Sequence, residues 1–308
     1  LIKSEDFKGT IIVDIQDDAD FTPKYFTSHI KGYKSSNLYT YTFCLGVETM
    51  ANLKIENLVV KYHTLDGETN AVKDLTFDVS DGEFVSIVGP SGCGKSTVLS
   101  VIAGLLKPSE GKVLLDGNEI DYPSGKTSNR IGYMLQRDHL FEWRNIIENI
   151  TLGLEIQQKL NKESRERIDE MLNKYDLYPF KNYYPNQLSG GMRQKVALIR
   201  TLAINPDILL LDEPFSAIDF QTRLAVSDEI YKIIKQEGKT SIMVTHDIAE
   251  AISLSDRVLV LTKRPAAVKS IYDIKLSVEN RTPLKSREAI EFRHFFNAIW
   301  KDLDIHVE

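Results

Sequence analysis

The run from Phe84 to Leu106 leaves this chain little freedom in what it can fold into. Phe84-Val85-Ser86-Ile87-Val88 is a short, almost continuous apolar stretch and reads as a buried strand. It passes into Gly89-Pro90-Ser91-Gly92-Cys93-Gly94-Lys95-Ser96, which has the G-x-x-x-x-G-K-[ST] spacing, and Thr97 to Leu106 then reads as a helix that stops before Pro108. A strand, a glycine-rich loop and a helix in that order make an anion cradle. The first N–H groups of the helix lack intrahelical partners, and the helix dipole favours negative charge beside them. Backbone groups from Gly89 to Thr97 are expected to line phosphates, Lys95 to pair with β- and γ-phosphate oxygens, and the Ser96 hydroxyl to ligate Mg²⁺.

Two later segments supply what a phosphate loop alone lacks. In Ile208-Leu209-Leu210-Leu211-Asp212-Glu213-Pro214, four consecutive apolar residues indicate a strand covered on both faces, as in a parallel sheet. Asp212 and Glu213 emerge at its carboxyl end, the edge on which open α/β sheets bind ligands. A solvated acidic turn is the alternative for such a pair. After a phosphate loop in the same chain, Asp212 reads as the Mg²⁺ holder and Glu213 as the group that polarises an attacking water. The other segment, Leu188-Ser189-Gly190-Gly191-Met192-Arg193-Gln194, opens a helix with Ser-Gly-Gly, either as a second anion site or as an ordinary serine cap.

Taken together and in this order, the motifs resemble those of the nucleotide-binding subunit of ATP-binding cassette (ABC) transporters, over roughly residues 53–271. The resemblance implies an α/β P-loop NTPase fold: a RecA-like parallel-sheet core, an antiparallel β subdomain and a helical subdomain inserted at about 140–203. ATP and Mg²⁺ are the implied ligands. Tyr62 matches the aromatic residue that stacks on adenine, although its position after Leu58-Val59-Val60 also suits a half-exposed strand residue. Gln136 follows the strand-like Ile131-Gly132-Tyr133-Met134-Leu135 and matches a glutamine that contacts Mg²⁺ and the attacking water. Ser216-Ala217-Ile218-Asp219 resembles the loop after the catalytic glutamate. His246, closing the strand Ser241–Thr245, matches the switch histidine that hydrogen-bonds a γ-phosphate. The family's signature is LSGGQ, with Met192 here at its last position. By resemblance, Ser189, Gly190 and Gly191 complete the ATP site of a second ATP-binding subunit in a head-to-tail dimer.

The segment Arg137–Asn145 mixes Phe141 and Trp143 with charge where the family forms a groove for a permease helix; packing at a subdomain junction is the other reading. With Met134–Gln136 and Thr245–Ala251, this segment is similar to the nitrate/sulfonate/taurine branch of importers, although Phe141-Glu142-Trp143 stands where that branch often has Leu-Pro-Trp. The resemblance thus implies an ATPase that energises uptake of a small solute through transmembrane permease subunits, fed by an extracytoplasmic solute-binding protein. Its expected place is the cytoplasmic face of the cell membrane. The alternative is a non-transport ABC ATPase acting on DNA or ribosomes, which the compact span from Lys95 to Ser189 and the single cassette disfavour. A phosphate-binding regulator without hydrolysis is disfavoured by Glu213.

Composition fits a large buried core: 308 residues, 42% hydrophobic. No apolar run reaches the ~18 residues of a membrane span, and the first residues lack a secretion signal. A net charge of −6 argues against a nucleic-acid platform, and Cys44 and Cys93 have no metal-ligand spacing. Residues 1–49 hold eight of the 28 aromatic residues and no motif. They are either an extension that packs on the cassette or a partner, or a segment upstream of a natural start at Met50. The cassette is expected over 50–275, with a loop at Asp121–Arg130, mainly helix over Asn145–Leu202 with Gln157–Glu170 facing solvent, and a helix near Thr222–Gln236 ending at Gly238. Residues 276–308 form a tail in which Ser286–Trp300 reads as an amphipathic helix packed on the core.

Overall fold

A computed structural model describes residues 30–35, 38–43, 53–64, 67–120, 122 and 130–303. The chain divides into two units, Leu1–Met50 and Ala51–Glu308. In the first, strands β1 (Ile30–Ser35) and β2 (Leu38–Phe43) pair antiparallel, from Ile30 opposite Phe43 to Ser35 opposite Leu38. The remainder of the aromatic-rich segment 1–49 and most of the expected loop at 121–130 lie outside the described residues.

The second unit begins with β3 (Leu53–Thr64), β4 (Gly67–Val79) and β5 (Phe84–Val88), then α1 (Lys95–Ile102), β6 (Glu110–Leu115), β7 (Asn118–Glu119) and β8 (Ile131–Met134). Helices α2 (Ile146–Ile156), α3 (Lys162–Lys174) and α4 (Gly190–Ala203) follow. The chain then alternates β9 (Ile208–Asp212), α5 (Phe220–Gln236), β10 (Thr240–Thr245), α6 (Ile248–Leu254) and β11 (Arg257–Leu261). It ends with β12 (Val268–Asp273), α7 (Pro283–Ser286) and α8 (Ile290–Asp302).

Two sheets organise these elements, and their burial explains their sequences. One sheet runs β12-β11-β5-β10-β9-β8, parallel except for β12. Every residue of β5, β9 and β10 is buried, so these strands read as continuous apolar runs, as strands covered on both faces must. The other sheet, β4-β3-β6-β7, is antiparallel. In β4, Leu75, Phe77 and Val79 face inward and alternate with exposed Thr76 and Asp78, the period-two pattern of a sheet with one wet face. One face of the large sheet shares a core with α1 and the antiparallel sheet. Its other face packs Phe84, Leu209, Leu211 and Met243 against α2 to α5. A third cluster joins Val88, Val258 and Val260 to α6 and Ile299 of α8.

Two helix ends differ from the sequence reading. The helix after the glycine-rich loop starts at Lys95 and stops at Ile102, because Gly104 (φ 74°) turns the chain left-handed well before Pro108. The terminal helix is two pieces, α7 and α8, separated by Arg287–Ala289. It packs on the core as expected: Phe292, Phe295 and Phe296 lie against the third cluster, while Ile290 is 93% exposed. Among the described residues, no helix is long and apolar enough to cross a membrane.

Candidate active site

Four adjacent strands of the large sheet, β5, β10, β9 and β8, run parallel. Each delivers one predicted segment at its carboxyl end: the Gly89–Ser96 loop, His246, the Asp212-Glu213 pair, and Gln136. Open parallel sheets bind ligands at this edge. The loop is tightly built. Gly94 has φ 126°, and a Cβ there would stand 2.9 Å from the Ala71 carbonyl oxygen, so both its conformation and its surroundings demand glycine. Lys95, only 7% exposed, donates from Nζ to the carbonyls of Gly89 (2.9 Å) and Pro90 (3.0 Å), which holds its charge over the loop. Cys93 is 1% exposed, and burial pushes its thiol up.

Next to the loop, Ser96 Oγ donates to Asp212 Oδ1 at 3.1 Å, joining residues 116 positions apart. Tyr133, on β8, donates its hydroxyl to Asp212 Oδ2 at 3.2 Å. Burial raises the Asp212 carboxyl above the ordinary range, partly offset by these two hydrogen bonds. A buried carboxylate beside a hydroxyl is a pair of hard oxygen donors whose desolvation a cation would relieve. Among the described residues, no group of three or more His, Cys, Asp or Glu side chains could form a metal cage. A small hard cation, which can bind through one or two protein oxygens and complete its shell with other oxygen donors, fits the Ser96–Asp212 pair.

The second focus is a single oxygen. Gln136 Nε2 donates to Glu213 Oε2 at 3.0 Å, and His246 Nδ1 lies 3.2 Å from the same atom. Glu213 is left-handed (φ 46°), a conformation uncommon for a residue with a side chain. Its N–H bonds the Val244 carbonyl at 2.9 Å, extending the β9–β10 ladder by one residue toward His246. A carboxylate fixed by a glutamine and a histidine at the mouth of a phosphate cradle can accept a proton from water.

The remaining predicted residues sit at the margins. Tyr62, 37% exposed, shares a hydrogen bond of 3.2 Å with Thr97 at the start of α1. Ser189 caps α4, its hydroxyl accepting from the Met192 N–H at 3.3 Å. A Cβ on Gly191 would lie 2.6 Å from Val226 Cγ2, so close packing of α4 on α5 requires glycine. The structure also shows residues that sequence reasoning missed. Tyr133 is one. Arg193 and Arg200 of α4 are others: Arg193 Nε donates to Asp138 Oδ2 (3.0 Å), and Arg200 donates to the carbonyls of Asp138 (2.6 Å) and His139 (2.8 Å). Only the seven-residue spacing of the two arginines, which puts them on one helix face, could have flagged them.

Comparisons with known proteins identify the family. The family model described as "ABC transporter" matches residues 72–216. YtlC of Bacillus subtilis, named as an uncharacterised ABC transporter ATP-binding protein, is 45% identical over 255 residues, 83% of this chain and 96% of that protein. The taurine import ATP-binding protein TauB of Pelagibacter ubique is 40% identical over 226 residues, 73% of this chain and 84% of that protein. A dimeric post-hydrolysis structure of the ATP-binding cassette MJ0796, bound to ADP and Pi, matches with a TM-score of 0.63 at 35% identity, covering 72% of this chain and 99% of that one.

Proposed function

Since the chain belongs to the ABC transporter ATP-binding family, we propose that it powers uptake of a small solute of the taurine, sulfonate or nitrate kind through separate permease subunits. It is an ABC importer ATPase. The observation that carries the catalytic assignment is the meeting of Gln136 and His246 on one oxygen of Glu213, beside the Ser96–Asp212 pair. In this reading the Gly89–Thr97 backbone and Lys95 bind the phosphates, and Tyr62 stacks on the base. Glu213 accepts the proton of the attacking water, Gln136 orients that water, and His246 holds the terminal phosphate. Ser96 and Asp212, with Gln136, would hold Mg²⁺, which when bound neutralises phosphate charge.

Ser189, Gly190 and Gly191 are proposed to complete the site of a second cassette, a reading supported by the dimeric state of the MJ0796 cassette. The cargo class is supported by the taurine import relative and by the sequence of residues 134–145 and 245–251. Docking on a permease puts the subunit at the cytoplasmic face of the membrane, with an extracytoplasmic solute-binding protein delivering cargo. A DNA- or ribosome-directed role is not favoured.

Replacing Glu213 by Gln tests the catalytic assignment. The variant is expected to keep ATP affinity and to release phosphate at least ~100-fold more slowly, the scale of a lost general base. Near wild-type release from the purified variant rejects Glu213 in that role. Growth on taurine or an alkanesulfonate as sole sulfur source, in a strain with and without this gene, tests the cargo.

A further inference from the structure

Glu213 and His246, which meet at one oxygen, are joined a second time behind the site. The segment after Glu213 is internally bonded: Ser216 donates through its N–H (3.1 Å) and Oγ (2.9 Å) to the Glu213 carbonyl, and Ile218 N–H bonds the Phe215 carbonyl at 3.1 Å. Arg223, one turn into α5, donates from Nη2 to the Ile218 carbonyl at 3.1 Å. Its Nη1 lies 3.9 Å from Glu250 Oε1. On the other side, Glu250 Oε2 accepts from Thr245 Oγ1 at 2.8 Å, and Thr245 Oγ1 accepts from the Asp247 N–H at 3.0 Å. Asp247 caps α6 through the N–H groups of Ala249 and Glu250. The turn 245–250 is thereby pinned, and His246 projects from it. The links form a closed ring: Glu213, loop 214–219, Arg223, Glu250, Thr245, His246, and back to Glu213.

Two features of the ring are costly unless they serve a purpose. Glu250 is a carboxyl only 5% exposed, and the buried Nε of Arg223 has no hydrogen-bond partner among the described residues. At 3.9 Å the Arg223–Glu250 contact is an ion pair without hydrogen-bond contact, so it can tighten if loop 214–219 shifts toward α6.

We propose that Glu250 and Arg223 are a positioning pair that sets His246 against Glu213 according to the position of loop 216–219. Neither touches nucleotide; both act through the histidine. The inference deepens the proposed reading and rests on His246 and Glu213 being the catalytic pair. It makes the 216–219 loop the regulatory input to the histidine within one subunit. The charged groups acting on the Glu250 carboxyl are Asp247, which raises its pKa, and Arg223 and His246, which lower it. Burial is the largest influence and pushes it up to about 7. The ionised form, which attracts Arg223, therefore gains as pH rises through that value.

The test uses the full chain with its permease and compares Glu250→Gln, Arg223→Ala, Arg223→Lys and the Glu250→Gln/Arg223→Ala double variant with His246→Ala. Glu250→Gln and Arg223→Ala are each expected to lower kcat ~10-fold while leaving the ATP Kd within about twofold, since Lys95 and the Gly89–Thr97 backbone, which supply most of the phosphate contacts in the proposed reading, are untouched and only the histidine is misplaced. The double variant should be within about twofold of the worse single, as for two residues of one link, and Arg223→Lys should recover part of the loss. The wild-type kcat should fall more steeply below pH 7 than that of Glu250→Gln; every other group is common to both proteins, so the difference isolates Glu250. If Glu250→Gln misfolds, the partly exposed Arg223 variants carry the test. Wild-type kcat in the Arg223→Ala variant, alongside an inactive His246→Ala, overturns the pair alone. Retained turnover in His246→Ala removes the catalytic reading and the pair with it.

Discussion

The residues of the site are held in conformations that would be unfavourable elsewhere. Glu213 at φ 46° carries a left-handed backbone costing roughly 1–2 kcal/mol for a residue with a Cβ. It is offset by a main-chain bond to Val244 and by the side-chain contacts to Gln136 and His246. Asp212 and Glu250 are both carboxyls raised chiefly by burial. For Glu250 the consequence for stability has a definite sign. Its folded pKa, about 7, lies above the unfolded value near 4.5, so its contribution is greatest below pH 4.5 and is lost as pH rises through 7. Glu250→Gln has no such loss. Relative to wild type, the variant should therefore gain roughly 2–3 kcal/mol of unfolding free energy between pH 5 and pH 8. Urea titrations at the two pH values measure it; a constant difference would show that Glu250 ionises in the folded state as it does in water.

At the scale of elements, α4 links the signature loop to the turn after Gln136. Arg193 and Arg200 lie two turns apart on one face, and between them they engage the Asp138 carboxylate and the carbonyls of Asp138 and His139. His139 is itself left-handed, at φ 45°. Arg200→Ala removes both charge-assisted bonds to this turn and should cost about 1.5–3 kcal/mol, read as a lower urea midpoint. An unchanged midpoint means that the turn holds itself. These elements also show what the sequence made legible. The strand-end positions of the phosphate loop, Asp212 and Glu213 could be read because each is local, an apolar run that ends and a characteristic residue that follows, whereas His246 is picked out by the family resemblance. The buried β5, β9 and β10 were legible as local apolar runs. Tyr133, Arg193, Arg200 and the Arg223–Glu250 contact were not. Their contacts span 27 to 79 positions of chain, and a local pattern, such as the seven-residue spacing of the two arginines, marks a shared helix face without naming the partner. The end of α1 was misread because Pro108 is a strong stop, whereas Gly104 stops the helix only through the φ it adopts.

For the second unit as a whole, the large sheet positions the proposed site. Adjacent strands β5, β10, β9 and β8 gather Lys95, His246, Glu213 and Gln136 on one edge, and the sheet is packed on both faces. The tail adds a brace behind it. Arg281 donates to the carbonyls of Ile252 (2.8 Å) and Ser255 (2.6 Å), and Ser286 Oγ to that of Ser253 (3.0 Å), satisfying the carboxyl end of α6, whose amino end follows His246. Ser189 is not at the end of any of these four strands but at the start of α4, among the helices that the chain inserts between β8 and β9. Its proposed role requires a second cassette. The most direct measurement is ATP binding and turnover by Ser189→Arg. A site shared between subunits predicts monomer affinity for ATP within about twofold of wild type together with loss of turnover, because only the partner's phosphate contact is removed. Collapse of binding by the monomer along with turnover would contradict it, since Ser189 would then belong to its own subunit's site.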